Sequence, residues 1–177
     1  MERRLVVVKR DCPARLVPLG TPVTVPGGTF VTLTQTLGGT YTIVFNGNMA
    51  RIDGADADAL GFKVELPHYE GNPDGSINRD QVWDTLKTIY DPEIPVNIVA
   101  LGLVYDCRIN PDNPHQVDIT MTLTAPGCGM GPVLVDEIKL RLMRVPNVES
   151  VKVDLVFDPP WNRDMMSEEA QLELGLF

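Results

Sequence analysis

Two tight-turn signals, Gly38-Gly39 and Asn46-Gly47, separate three short runs of β-forming residues, and this arrangement commits the middle of the first half to an antiparallel meander. The runs are Phe30–Leu37, residues 41–45 and residues 49–52. β-branched and aromatic side chains dominate the first two, the first alternates apolar with polar at its centre, and residues 49–52 are the returning strand. Asn-Gly is favoured in two-residue hairpin loops because both positions must take positive φ. Residues 4–8 and 23–25 are further strand expectations, and residues 56–60 read as one helical turn closed by Gly61. Short strands with frequent turns imply a small barrel or sandwich-like β module over residues 1–66.

Turn formers crowd residues 67–77, including Gly71-Asn72-Pro73-Asp74-Gly75, so this stretch reads as a linker. Residues 78–177 then change period. Asn78 is a fitting helix N-cap, with Asp80 in the first turn. Val82, Leu86 and Ile89 recur at helical spacing until Asp91-Pro92 stops the helix. Strands are expected over residues 103–109, 117–123 and 148–157. Between the last two, Pro132 suits the first position of a helix over residues 133–145, with Leu134, Ile138 and Leu142 on one face. Ser167 caps a short tail helix ending at Gly175. The expected class is α+β: a β module, then a small α/β sandwich of order α-β-β-α-β with a C-terminal tail helix.

Charge narrows the partners. A net charge of -9 repels phosphate backbones and anionic lipid, so neither nucleic acid nor a membrane surface is expected. The apolar run near the start, Leu5 to Val8, is too short for a signal-peptide core, and the expected location is the cytoplasm. Cys12, Cys107 and Cys128 should be reduced thiols there. They are widely spaced, with no C-x-x-C pair, which gives little support to a structural zinc site.

The chemistry points to Cys128, in Thr124-Ala125-Pro126-Gly127-Cys128-Gly129-Met130-Gly131-Pro132. A helix N-terminus just beyond it would favour thiolate over thiol. Gly127, Gly129 and Gly131 would allow positive φ and close backbone approach to a ligand. Such a thiolate could hold a soft metal or an iron–sulfur cluster, or attack an electrophile. Spacing alone weighs this evenly against a small buried cysteine beside a turn. Cys12 reads as a loop residue that could supply a second thiolate if the two halves pack together, and Cys107 as a buried strand residue. His68 and His115 have no local context supporting a Cys–His pair. The rigid acidic turn at Asp91 and Glu93 could take hard cations or basic partners, or simply stop a helix. Trp161, after two prolines, is a lid, a docking anchor or a core plug. Three cysteines cannot supply four cysteine ligands, so a cluster would need a dimer, a partner or other ligands.

Three ordered motifs resemble the SufT and PaaD group of iron–sulfur assembly domains. They are residues 91–105, beginning Asp91-Pro92-Glu93-Ile94-Pro95; residues 122–128, ending in Cys128; and Asp158-Pro159-Pro160-Trp161. The likeness spans residues 78–177. Residues 35–43, Gly47-Asn48 and residues 56–61 further resemble the N-terminal extension of SufT-type members. The resemblance implies an auxiliary factor in iron–sulfur protein maturation, not an enzyme with turnover. Its cargo would be a transient cluster and its partners an assembly scaffold and client apoproteins, while the shortage of cysteines, not the resemblance, points to a second copy as a further partner. It maps the reactive cysteine to Cys128, the acidic loop to Asp91 and Glu93, and the threonine of the family's T-x-x-x-C stretch to Thr124. Gly129 and Gly131 would offer backbone N–H groups, and Cys12 a second metal ligand.

Overall fold

Asn46 and Gly47 both take positive φ, 50° and 78°, which matches the right-handed twist of the strands they join. The computed structural model describes residues 3–17, 19–37, 39–66, 68–90, 96–124 and 131–175. It divides into two compact units, residues 1–68 and 69–177. The class is mixed α+β, with a strand-only sheet first and an α/β region with a C-terminal helix after it.

In the first unit, β1 (Arg4–Val7), β2 (Cys12–Leu16), β3 (Pro22–Val25), β4 (Phe30–Leu37), β5 (Thr40–Phe45) and β6 (Asn48–Asp53) form one antiparallel sheet of order β1-β4-β5-β6-β2-β3. Leu33, Ile43 and Ala50 stand in one cross-strand row and are fully buried. Period-two alternation carries this row onto the core face, where Val25, Val31 and Ile52 join it. A 3-10 turn (Gly54–Leu60) follows, capped by Asp53 and closed by Gly61 at φ 84°. It inserts Ala59 and Leu60 into the core. Arg10 grips this turn with a forked contact to Asp58, 2.8 Å on both oxygens, and 3.0 Å to Asp56.

β2 is a strand the sequence reading did not expect. Its alternation is hidden because the inward residues, Cys12 and Ala14, are small and the outward ones are Pro13 and Arg15. Pro13 is tolerated because the ladder to β6 begins only at Arg15, so the strand is paired on one side at Pro13.

The second unit holds α1 (Arg79–Leu86), β7 (Val104–Ile109), β8 (Gln116–Met121), α2 (Gly131–Leu142), β9 (Ser150–Leu155), a 3-10 turn (Arg163–Met165) and α3 (Glu168–Glu173). Asn78 caps α1 through its side-chain oxygen, which accepts from the N–H groups of Asp80 and Gln81. The turn-rich stretch before it is tied to this unit: the Glu70 carbonyl accepts from Gln81 Nε2 and the Ser76 carbonyl from Asn147 Nδ2. The sheet order is β7-β8-β9, antiparallel then parallel, with α2 as the crossover. On β8, Val117, Ile119 and Met121 are buried, while Asp118 and Thr120 face the other way beside Lys152 and Asp154. One sheet face therefore packs and the other is solvated. Behind the packed face α2 touches β9 and α1. Arg141 on α2 pairs with Glu137 at 3.2 Å, both nearly buried, and its Nη1 donates to Thr88 Oγ1 at 2.9 Å. Among the described residues, no helix is long and apolar enough to cross a membrane.

Candidate functional site

Register places Val104, Met121 and Leu155 in one row. The start of β7, the end of β8 and the end of β9 therefore meet at one end of the sheet. This is where the motifs at residues 91–105, 122–128 and 158–161 have their described parts.

Backbone hydrogen bonds join them in series. Ile98 donates to the Ile89 carbonyl at 2.9 Å. Leu103 then donates to Ile98 at 3.0 Å, and Thr122 to Leu103 at 2.8 Å. The end of α1 is so connected, through buried Ile98, Leu101 and Leu103, to the strand end that precedes the glycine-rich sequence. Thr122 is fully buried. On the far side of the turn, Gly131 is buried at the first position of α2. A methyl group there would lie 3.2 Å from Leu123 Cδ1 and 3.5 Å from Leu155 Cδ1. Glycine at this point lets the helix start sit close against the sheet end.

The segment after β9 returns across the same end. Trp161 Nε1 donates to the Leu101 carbonyl at 2.7 Å. The Tyr105 hydroxyl donates to the Pro159 carbonyl at 2.8 Å and lies 3.6 Å from Met165 Sδ. The Ser167 N–H donates to the Ala100 carbonyl at 2.8 Å. Gly102, at φ 78°, leaves no room for a side chain because the Met165 backbone occupies the space. Trp161 is thus half-buried and hydrogen-bonded, a brace more than a lid. Tyr105, Thr122 and Gly102 stand inside the motifs at residues 91–105 and 122–128, but the sequence reading assigned them no role. The one local signal was Gly102 between two leucines, since a lone glycine among apolar residues marks close backbone approach.

The expected site residues fare differently. Asp91, Glu93, Cys128 and Gly129 lie outside the described residues. Thr124, half-buried, is the last described residue before the turn. Gly131 is helical, not in the positive-φ conformation expected of it, because α2 starts one residue earlier than Pro132 suggested. Its small size serves packing on Leu123 and Leu155. Cys12 is not in a loop: it opens β2 and is fully buried in the first unit's core. Burial pushes its thiol up to about 11, with Asp56 adding to the effect. Cys107, half-buried on β7, is likewise pushed up to about 11 by burial, against the pull of Arg79. Neither thiol ionises readily near neutral pH. His115, whose Nδ1 lies 3.0 Å from the Asn147 carbonyl, stands at the other end of β8 from Thr124. A six-residue strand separates them, roughly 20 Å of chain. Among the described residues no three His, Cys, Asp or Glu side chains gather to hold a metal ion.

Residues 79–155, within the second unit, match the model of a family described as iron–sulfur cluster assembly protein. The chain is 50% identical over 90 residues to an Fe-S protein maturation auxiliary factor of Porphyromonas gingivalis, covering 51% of this chain and 84% of that one. It is 43% identical over 98 residues to the Fe-S protein maturation auxiliary factor YitW of Bacillus subtilis, covering 55% and 94%. With the Fe-S protein maturation auxiliary factor SufT of Staphylococcus aureus it shares 42% over 88 residues, covering 50% and 98%. Among solved structures, a domain of unknown function from Bacillus anthracis is similar at a TM-score of 0.51 and 37% identity, over 55% of this chain and 92% of that chain.

Proposed function

Because the chain belongs to the iron–sulfur cluster assembly protein family, we propose that it is an auxiliary factor in iron–sulfur protein maturation that carries a cluster transiently, or assists its delivery to apoproteins, through Cys128. The observation that carries this reading is the meeting of three chain segments at one sheet end, bonded through Leu103 to Thr122 and through Leu101 to Trp161. In the sequence Cys128 follows Thr124, at this sheet end, by four residues and precedes the start of α2 by three. A helix N-terminus stabilises negative charge, whether thiolate or sulfide. Backbone N–H groups at Gly129 and Gly131 are the donors we assign to it, and Asp91, Glu93 and Thr124 the side chains that shape the site.

Cysteine arithmetic decides how the cargo is held. Clusters usually take four ligands, mostly cysteine. Cys12 is buried in another core and is not counted as a ligand, and Cys107 is a strand residue with a raised pKa. The remaining ligands come from a second copy or from a partner, either the assembly scaffold or a client apoprotein. A shared site suits a carrier, since a cluster held by few ligands leaves readily. The role is carriage without turnover, in the cytoplasm, where free thiols persist. The distance of His115 from Thr124 supports this over a Cys–His nucleophile.

The test is anaerobic reconstitution with iron and sulfide, read by visible absorption and size-exclusion chromatography. Wild type and Cys12→Ala should gain cluster absorption, and Cys128→Ser should not. Equal absorption in Cys128→Ser would end the ligand role. A wild type that never takes a cluster, yet captures assembly proteins even as Cys128→Ala, would make the protein a metal-free adaptor.

A further inference from the structure

We propose that Tyr105 and Trp161 are positioning residues that strap the segment after β9 across the 96–103 loop and so set the geometry from which the Cys128 turn departs. The inference rests on the reading of Cys128 as the working thiol. Its basis is a set of contacts that share one target. Trp161 Nε1 reaches the Leu101 carbonyl, the Ser167 N–H reaches the Ala100 carbonyl, and the Met165 backbone lies against Gly102. Three consecutive loop residues are thus held by the tail. Tyr105 completes the strap from the opposite direction. It is the extra residue at the register shift between Val104 and Asp106, and its hydroxyl holds Pro159. The bulge re-aims the Tyr105 side chain toward the tail.

Side chains that only packed the core would not need such partners. The Leu101 side chain is fully buried, and its carbonyl takes the indole proton at 2.7 Å. Loss of that donor leaves a polar group without its bond in a desolvated place. The loop is joined to the strand end that precedes Cys128 by the Thr122 N–H on the Leu103 carbonyl at 2.8 Å. This link lies two residues before Thr124, so movement of the loop is passed directly to the base of the Cys128 turn. The two halves of the strap fasten the same tail segment, and each bond can be cut by one substitution: Tyr105→Phe removes one hydroxyl and keeps the ring, and Trp161→Phe removes the indole N–H together with its five-membered ring.

The experiment compares wild type, Trp161→Phe, Tyr105→Phe and Asn78→Ala in the full chain without cluster. Asn78→Ala weakens the same unit through the far end of α1 and serves as a control matched for stability. Amide hydrogen exchange is followed at Ile98, Leu103 and Thr122, with Val117 and Ile119 as core references. Alkylation of Cys128 by iodoacetamide is timed at one pH near neutrality, with the modified peptide identified by mass. Each strap variant should speed exchange at the amides of Ile98, Leu103 and Thr122 by about tenfold, leaving the references unchanged. Cys128 alkylation should change by about threefold or more in both strap variants and not in Asn78→Ala. Uniform faster exchange across the unit, or equal alkylation changes in Asn78→Ala, would reduce the strap to plain stability and overturn the proposal. So would loosened loop amides with unchanged Cys128 alkylation, or no exchange change at all. Because no cluster is present, failure of the cluster reading shows separately, in the reconstitution above.

Discussion

Gly102 and Gly75 share a φ of 78°, yet only one is crowded, so alanine at each separates backbone strain from steric conflict. An alanine in the left-handed region costs about 1 kcal/mol at either site. At Gly75 nothing lies within 4 Å of the added methyl, and the cost stops there. At Gly102 the methyl would meet the Met165 carbonyl group and lie 2.9 Å from Met165 Cβ, so the tail must retreat. Retreat loosens two hydrogen bonds, Tyr105 to Pro159 and Ser167 to Ala100. At about 1 kcal/mol each, these bring Gly102→Ala to roughly 3 kcal/mol. Urea unfolding followed by tryptophan fluorescence measures this in the right place, since Trp83 and Trp161 both belong to the second unit. Trp161 is also bonded to the residue next to Gly102. If the two alanine variants lose the same stability within about 0.5 kcal/mol, the close approach of tail and loop is not what the structure describes.

Arg141→Met should destabilise the second unit by about 3 kcal/mol, because it removes the guanidinium that pairs with the nearly buried Glu137 carboxylate at 3.2 Å and donates to Thr88. The double variant with Glu137→Met should recover much of that loss in the same urea assay. Asn78→Ala should cost about 1 kcal/mol, through loss of the oxygen that caps the Asp80 and Gln81 N–H groups. Alkaline pH should weaken the first unit through Cys12. Its folded thiol titrates near 11 against an ordinary value of 9.0, so the folded state holds the proton more tightly. The resulting stability is full below about pH 9 and is lost as pH rises through about 11. Urea midpoints by circular dichroism across that window should fall in wild type and flatten in Cys12→Ala; parallel curves would refute the buried-thiol account.

Much of the architecture was legible because it rests on local rules. The Asn46-Gly47 hairpin follows from conformational freedom at two residues, and the α1 start from the capping oxygen of Asn78. Alternation placed Val117, Ile119 and Met121 on the packed face of β8. Where local signals were weak, the reading slipped. Cys12 looked like a loop residue because Pro13 interrupts a strand whose inward residues are small. Gly131 looked like a freely turning glycine, whereas its lack of a side chain serves helix–sheet packing.

The sequence by itself determined the α+β order of elements, the family and the three motifs around Asp91, Cys128 and Trp161, since periodicity, capping and turn chemistry act over a few residues. Only the tertiary structure decided that the described parts of these motifs meet at one sheet end and are bonded to each other. That meeting depends on the register of β7, β8 and β9 and on partners far apart in the chain, such as Trp161 with Leu101 and Thr122 with Leu103. A carbonyl or an N–H is present at nearly every residue, so no spacing announces which two will pair. The folded chain makes that choice through the burial that leaves each of them without water.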